Sequence, residues 1–325
     1  MIAASREGSS ANPRVPGPVV RSGYREFAGV RTRVLEVGPR PTGRQRRSRR
    51  SRTDRPRLVL LHGYCDSADT WSPVLGELAA AGHEAIAVDL PGSGEADALR
   101  PGPILAQLDA FTSALVEEES TRGGVVLVGN SLGGTMSLRA AQNPRLPVSG
   151  IVSIAAPGFV DTWLIRTVAR YPLPLRVASL PLPIPSFVVR AVAEQVVPRL
   201  LYADAEAAER THVRRFTELF PDYRSATDRL REARRLVAEL EQAYELDRVS
   251  APLLVVACGK DRLVSSASGR QLHSLVPHSR LMVRQDWGHC PQLDDPAAVA
   301  DLLTYFVAAS GTSGQVSRQG EAAAG

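Results

Sequence analysis

At 325 residues with 44% hydrophobic content, the chain can bury one large core, and single cores stop growing at about 250 to 300 residues, so one catalytic domain carrying an insertion fits better than two equal domains. Cys65, Cys258 and Cys290 are too few and too irregularly placed for a disulfide framework or a zinc site, which points to a reducing compartment and to no metal or cofactor. No apolar run reaches the roughly 18 residues that span a bilayer, and the N-terminal region lacks the apolar centre of a signal peptide, so the expected location is cytoplasmic.

Residues 1–20 are rich in Gly, Pro and Ser and are expected to be a disordered tail. From Tyr24 to Val37, apolar and polar residues alternate around Gly29, the pattern of an antiparallel hairpin. The Arg-rich stretch 40–57 follows. Between Arg44 and Arg57 eight arginines face the single acid Asp54, so this segment carries +7, and against the chain's +5 everything else carries about −2. The basicity therefore belongs to one segment, expected to repel itself as a solvated loop between strands. Weak contact with an anionic membrane surface is its alternative use; no aromatic residue interleaves it, so no nucleic-acid partner is expected.

After that loop, short continuous apolar runs alternate with helical patterns. Strands are expected at Leu58–Leu61, Glu84–Val88, Val125–Val128, Val148–Ile154, Leu253–Ala257 and Leu281–Val283. Helices are expected at Pro73–Ala81, Ile104–Glu118, Leu132–Asn143, Ser266–Leu275 and Pro296–Ala308. Continuous apolar strands are covered on both faces, which means an α/β class with a mostly parallel sheet and helices on either side. The rhythm breaks over 158–247. There a proline-spiced apolar stretch (Tyr171 onward, then Leu180 to Phe187) precedes two helical pieces, Asp204–Leu219 and Ala226–Tyr244. This stretch reads as a helical cap inserted between a first core part, 21–157, and a second, 248–309, with a disordered tail over 310–325.

Function collects at the carboxyl ends of such strands. The run Val125–Val128 ends in Gly129-Asn130-Ser131-Leu132-Gly133-Gly134, a serine with side-chain-free neighbours two residues to either side. It reads as a sharp strand-to-helix elbow that lifts the Ser131 hydroxyl off the sheet. A serine needs a base within hydrogen-bond reach and a carboxylate to hold that base in the right tautomer. Among six histidines, His289 lies on a glycine-flanked loop between a strand and the last helix. His62 reads as a structural residue under its loop, His83 as helix-to-strand punctuation, and His212, His273 and His278 as solvent-facing. Asp261 directly follows the Leu253–Ala257 strand; Asp286 and Asp161 are its rivals. For an oxyanion, the donors would be the backbone N–H groups of Leu132 and of Tyr64, with Gly63 freeing the turn between His62 and Tyr64.

Together, His62-Gly63, Asp89-Leu90-Pro91-Gly92-Ser93-Gly94, the Gly129–Gly134 elbow, Gly259-Lys260-Asp261, Gly288-His289 with Pro291, and Asp295-Pro296 resemble the α/β-hydrolase superfamily with a helical cap, over about Tyr24 to Ala308. The resemblance implies an α/β-hydrolase fold, the chain order Ser131, Asp261, His289, and serine-hydrolase chemistry on a carboxylic ester; the apolar residues of the cap point to a small-molecule acyl ester or lipid-like substrate of medium length. Serine as nucleophile removes the epoxide- and halide-cleaving relatives, which use aspartate there. The Asn130-Ser131 pair resembles hydrolases of carbon–carbon bonds in vinylogous diketones, but Cys290 stands where those carry tryptophan, and Arg190 is the candidate for their cap arginine. A non-catalytic ligand-binding protein on the same scaffold is the remaining alternative. Apolar residues between Tyr171 and Val197 are expected to line a slot over Ser131, and Cys65 and Cys290 adjoin the catalytic loops.

Overall fold

The computed structural model describes residues 19–38, 55–160, 162 and 184–322, with side chains described to residue 310. Strands β1 (Arg21–Phe27) and β2 (Val30–Val37) form the expected hairpin, closed by Ala28 and Gly29 at φ 51° and 75°. Positive φ at both central residues is the type I′ geometry whose twist matches that of its strands. Strands β3 (Arg57–Leu61), β4 (Ala85–Val88), β5 (Val125–Asn130), β6 (Val148–Ile154), β7 (Leu253–Cys258) and β8 (Arg280–Arg284) complete an eight-stranded sheet in the order β1-β2-β4-β3-β5-β6-β7-β8. The two N-terminal strands pair antiparallel and the other six are mutually parallel.

Alternation along each strand divides the core in two. Leu58, Leu60, Val126, Val128 and Val256 face α1 (Ser72–Ala80) and α9 (Pro296–Ala322). Val59, Leu61, Ile86 and Leu127 face α2 (Ile104–Ser120) and α3 (Leu132–Ala141). Every residue of β3, β4 and β5 is buried, which is why these strands read as unbroken apolar runs and not as alternating ones. Remaining helices are α4 (Ser186–Leu201), α5 (Arg210–Thr217), α6 (Tyr223–Leu240), α7 (Ser266–Leu275) and α8 (Pro291–Asp294). Between β6 and β7 the described residues hold three α-helices, α4 to α6, a single 3-10 turn at Leu246–Arg248, and no strand.

Several expectations change. Arg57 does not end a solvated loop: it opens β3, 7% exposed, with its guanidinium on Glu36 (2.8 Å) and Glu119 (2.6 Å). Three nearby acids outweigh the arginine repulsion at that one position; residues 39–54 lie outside the described set. Helix α4 forms where only a proline-rich apolar stretch was legible: Pro185 occupies its N-cap, where proline is tolerated, and Pro198 lies inside the helix and withholds one amide from its last turn. The last helix continues to Ala322, past the residue-310 start of the expected tail; no proline follows Pro296 to stop it. Residues 1–18, 163–183 and the rival carboxylate Asp161 lie outside the described residues.

Candidate active site

Register places the site. Leu61 is paired with Gly129, and Asn130 with Ile154, so β3, β5 and β6 end level, and the segments that follow them meet at one edge of the sheet. Ser131 sits at the turn from β5 into α3 with φ 54° and ψ −116°, a left-handed conformation that costs a non-glycine residue roughly 1–3 kcal/mol and persists only when its surroundings impose it. They do so by close approach. A Cβ on Gly129 would lie 2.0 Å from the Gly133 carbonyl, and one on Gly133 would lie 2.2 Å from the Leu61 carbonyl oxygen. The Ser131 amide donates to the Ile154 carbonyl (2.8 Å) and the Thr135 amide to the Ser131 carbonyl (3.1 Å), pinning the elbow to β6 and to the first turn of α3. Gly133→Ala is expected to cost about 3 kcal/mol or more, since the methyl meets backbone that has no room to yield; denaturant titration checks it, and wild-type stability would show that α3 can move off the sheet.

Asp261 lies in the loop after β7 and His289 in the loop between β8 and α8. Asp261 Oδ1 accepts from the amides of Leu263 (2.8 Å) and Val264 (2.9 Å), leaving Oδ2 for His289 Nδ1 at 2.8 Å. The carboxyl is fully buried and the imidazole nearly so. A carboxylate only accepts, so Nδ1 carries the proton and Nε2 keeps its lone pair; among the described residues Nε2 has no hydrogen-bond partner. Asp286 instead pairs with Arg284 at 3.2 Å on the exposed surface, away from His289.

Asn130, the residue before the elbow, does more than the sequence suggested. Its Nδ2 donates to the His289 carbonyl at 2.8 Å, tying the histidine's own backbone to the strand that presents Ser131. Gln292 Nε2 braces the arrangement, donating to Asn130 Oδ1 (3.3 Å) and Thr70 Oγ1 (3.1 Å). Nothing local in the sequence marks Gln292 or Thr70, which stand 222 positions apart. On the far side, Asp294 accepts from the amides of Gly288 (2.8 Å) and Ala203 (3.0 Å), and the Cys290 amide donates to the Leu201 carbonyl (2.9 Å). Gly288 is required because a Cβ there would lie 2.3 Å from the Ala203 nitrogen.

His62 is locked. Nε2 accepts from the Leu90 amide (2.9 Å), so Nδ1 donates to the Gly63 carbonyl (2.7 Å), and the ring is wholly buried. Gly63 turns out not to supply the backbone freedom: the left-handed residue is Cys65 at φ 56°. Gly63 is needed for proximity, since a Cβ on it would come within 3.3 Å of the Ser131 Cβ. Among the described residues, neither the Tyr64 nor the Leu132 amide has a backbone acceptor. His83 is buried, which lowers its pKa; His212 is half-buried and not solvent-facing, its pKa likewise lowered by burial.

Ser131, His289, Tyr64 and Leu132 border a cavity of about 310 Å³. Its far wall is apolar and comes mainly from α6 (Leu230, Leu236, Val237, Leu240) with Phe216 of α5 and Leu201 at the end of α4. Of the stretch Tyr171–Val197 expected to line a slot, residues 184–197 line none of the cavity, with Phe187 and Val192 of α4 exposed to solvent (71% and 56%), and 171–183 lie outside the described residues. Amphipathic α6 offers a continuous apolar face, whereas α4 turns most of its apolar residues outward. Arg190 is also exposed on α4, and among the described residues no lysine or arginine lines the cavity. Cys290 borders it, but burial pushes its thiol well up, and burial pushes Cys65 to about 12, so neither thiol ionises appreciably near neutrality. Among the described residues no cluster of His, Cys, Asp or Glu could hold a metal.

A doubly covered parallel sheet with a strained serine at the end of its central strand and an Asp–His pair at the ends of two later strands defines an α/β-hydrolase. The chain belongs to the Alpha/beta hydrolase family, whose sequence model matches residues 58–302. It is 28% identical over 251 residues to an esterase of Mycobacterium tuberculosis, covering 76% of this chain and 81% of the relative. It is 27% identical over 273 residues to the pimeloyl-acyl-carrier-protein methyl ester esterase of Neisseria meningitidis serogroup B, covering 81% and 98%. Among solved structures, that of a putative lipase from Acinetobacter baumannii shares the fold with a TM-score of 0.69 and 19% identity, over 90% of this chain and 93% of that one.

Proposed function

We propose that the protein is a serine hydrolase that cleaves a carboxylic ester with an apolar acyl group. The observation that carries this reading is the Nδ1–H bond from His289 to the buried Asp261 carboxylate at 2.8 Å, which leaves Nε2 as a base bordering the same cavity as Ser131. Nε2 takes the Ser131 proton as Oγ attacks the acyl carbon, and the carbonyl oxygen becomes an oxyanion received by the Tyr64 and Leu132 amides. Collapse of that intermediate expels the alcohol, which takes the proton back from His289. Water, deprotonated by the same nitrogen, then releases the acid and regenerates Ser131.

The two esterase relatives support ester chemistry. The apolar wall of α6 supports a neutral acyl chain. A side-by-side assay of p-nitrophenyl esters of increasing chain length and of a vinylogous diketone tests the proposal. Turnover is expected to peak at medium-length acyl esters, because each buried methylene contributes about 0.8 kcal/mol until the cavity is full. Best turnover with acetate would remove the apolar-substrate element, and exclusive turnover of the diketone would replace the reaction. No helix among the described residues is long and apolar enough to cross a membrane.

A further inference from the structure

Two side chains of the segment after β3 leave the sheet and end on the inserted helices. The Tyr64 hydroxyl donates to the Arg229 carbonyl on α6 at 2.7 Å and lies 3.3 Å from Glu232 Oε2. Asp66 Oδ1 accepts from Arg215 Nη2 on α5 at 3.0 Å, with the Asp66 side chain 3% exposed. Arg215 is the only ion-pair partner of Asp66 among the described residues. Burial pushes the Asp66 carboxyl up while Arg215, first among the groups that oppose it, pulls it down, so without Arg215 the buried charge would keep the Ser67 amide (2.8 Å) but lose its ion-pair partner, a state that favours local rearrangement. Between these two anchors lies Cys65 in its left-handed conformation. The sheet side holds the segment at its start, through His62 and through Gly63 against Ser131, and again beyond Asp66, where the Ala68 amide donates to Asp89 Oδ1 at 2.7 Å and Asp69 pairs with Arg33 of β2 at 2.7 Å. Between these two sheet-side attachments, the side chains of Tyr64 and Asp66 anchor the backbone that carries the Tyr64 amide on α6 and α5.

We propose that Arg215, acting through Asp66, is a positioning residue that together with the Tyr64 hydroxyl tether sets where the Tyr64 amide stands relative to Ser131, so that the seating of the inserted helices is read out as oxyanion stabilisation. The inference rests on the proposed reading of Ser131 and Tyr64. The amide bonds to the carbonyl oxygen fully only as the tetrahedral intermediate forms, so displacing it by a fraction of an ångström removes an interaction made in the transition state and not in the ground state. Its signature is a fall in kcat with KM unchanged. A residue that merely walls the cavity or holds the fold would move KM or thermal stability instead.

The experiment compares wild type, Arg215→Met, Arg215→Lys and Tyr64→Phe in steady-state hydrolysis of a p-nitrophenyl ester. The rate of Ser131 labelling by a fluorophosphonate is measured alongside, with circular dichroism melts of each protein. Arg215→Met is expected to lower kcat and the labelling rate by about 10- to 100-fold with KM within about threefold. Arg215→Lys should recover most of the loss, since an ammonium still compensates Asp66. Tyr64→Phe removes the second tether without touching the charge pair, and it is expected to lower kcat with KM unchanged even if Arg215→Met fails to fold. The proposal is overturned if Tyr64→Phe and Arg215→Lys keep kcat while Arg215→Met loses only stability, or if KM rises in step with the loss of rate. Wild type that neither turns over esters nor takes the label would sink the reading of Ser131 itself, and this inference with it.

Discussion

Ser131→Ala is expected to lower kcat for ester hydrolysis by about 10⁶-fold, the scale seen when the nucleophile of a serine–histidine–aspartate site is removed. Folding should survive. Alanine carries the same Cβ at φ 54° as serine does, and the clash-limited positions are Gly129 and Gly133, not the apex. The Ser131 amide bond to Ile154 is likewise a backbone contact that the substitution leaves in place. A fluorophosphonate probe should therefore label wild type and fail to label a variant with an unchanged circular dichroism spectrum. Persistent labelling, or activity above about one per cent of wild type, would place the nucleophile elsewhere. The outcome also separates an enzyme from a ligand-binding protein on the same scaffold, because binding alone needs no oxygen at this position.

Asp261→Asn is expected to lower kcat by about 10⁴-fold with KM little changed, because it alters a proton's position while keeping the geometry. Asparagine keeps an oxygen for the amides of Leu263 and Val264, which now bond Oδ1. The atom facing His289 Nδ1 becomes an N–H donor, so the imidazole must accept there and carry its proton on Nε2, where it cannot serve as a base. Steady-state kinetics with the preferred ester checks this. A loss below tenfold would mean that the carboxylate does not orient His289, and that the Asn130 bond to the His289 carbonyl holds the ring by itself.

Much of this was legible beforehand because chemistry in a parallel sheet sits at strand ends, and strand ends are marked in the sequence by the stop of an apolar run. Val125–Val128 stops at the elbow, Leu253–Ala257 stops just before Asp261, and Leu281–Val283 stops just before His289. The hairpin around Gly29 was equally plain, since a turn needing two positive φ angles leaves few residue choices. Helix α4 was hidden by its prolines, of which Pro185 does no harm at the N-cap while Pro198 costs one amide bond inside the last turn. Residues 184–197, counted beforehand in the slot, leave the cavity to α6, because hydropathy does not say which face of a helix looks inward.

Local chemistry, then, was determined by the chain itself: which strands are covered on both faces, where they end, and which side chains stand at those ends. Those features depend on residues within a few positions of one another, as the Gly129–Gly133 elbow does. Only tertiary structure decided that Asn130 grips the His289 carbonyl across 159 positions, that Arg215 meets Asp66 across 149, and that Gly63 is small for the sake of Ser131. Such contacts are set by where packed layers bring distant backbone together, and a polar side chain carries no local mark of the partner it will find there.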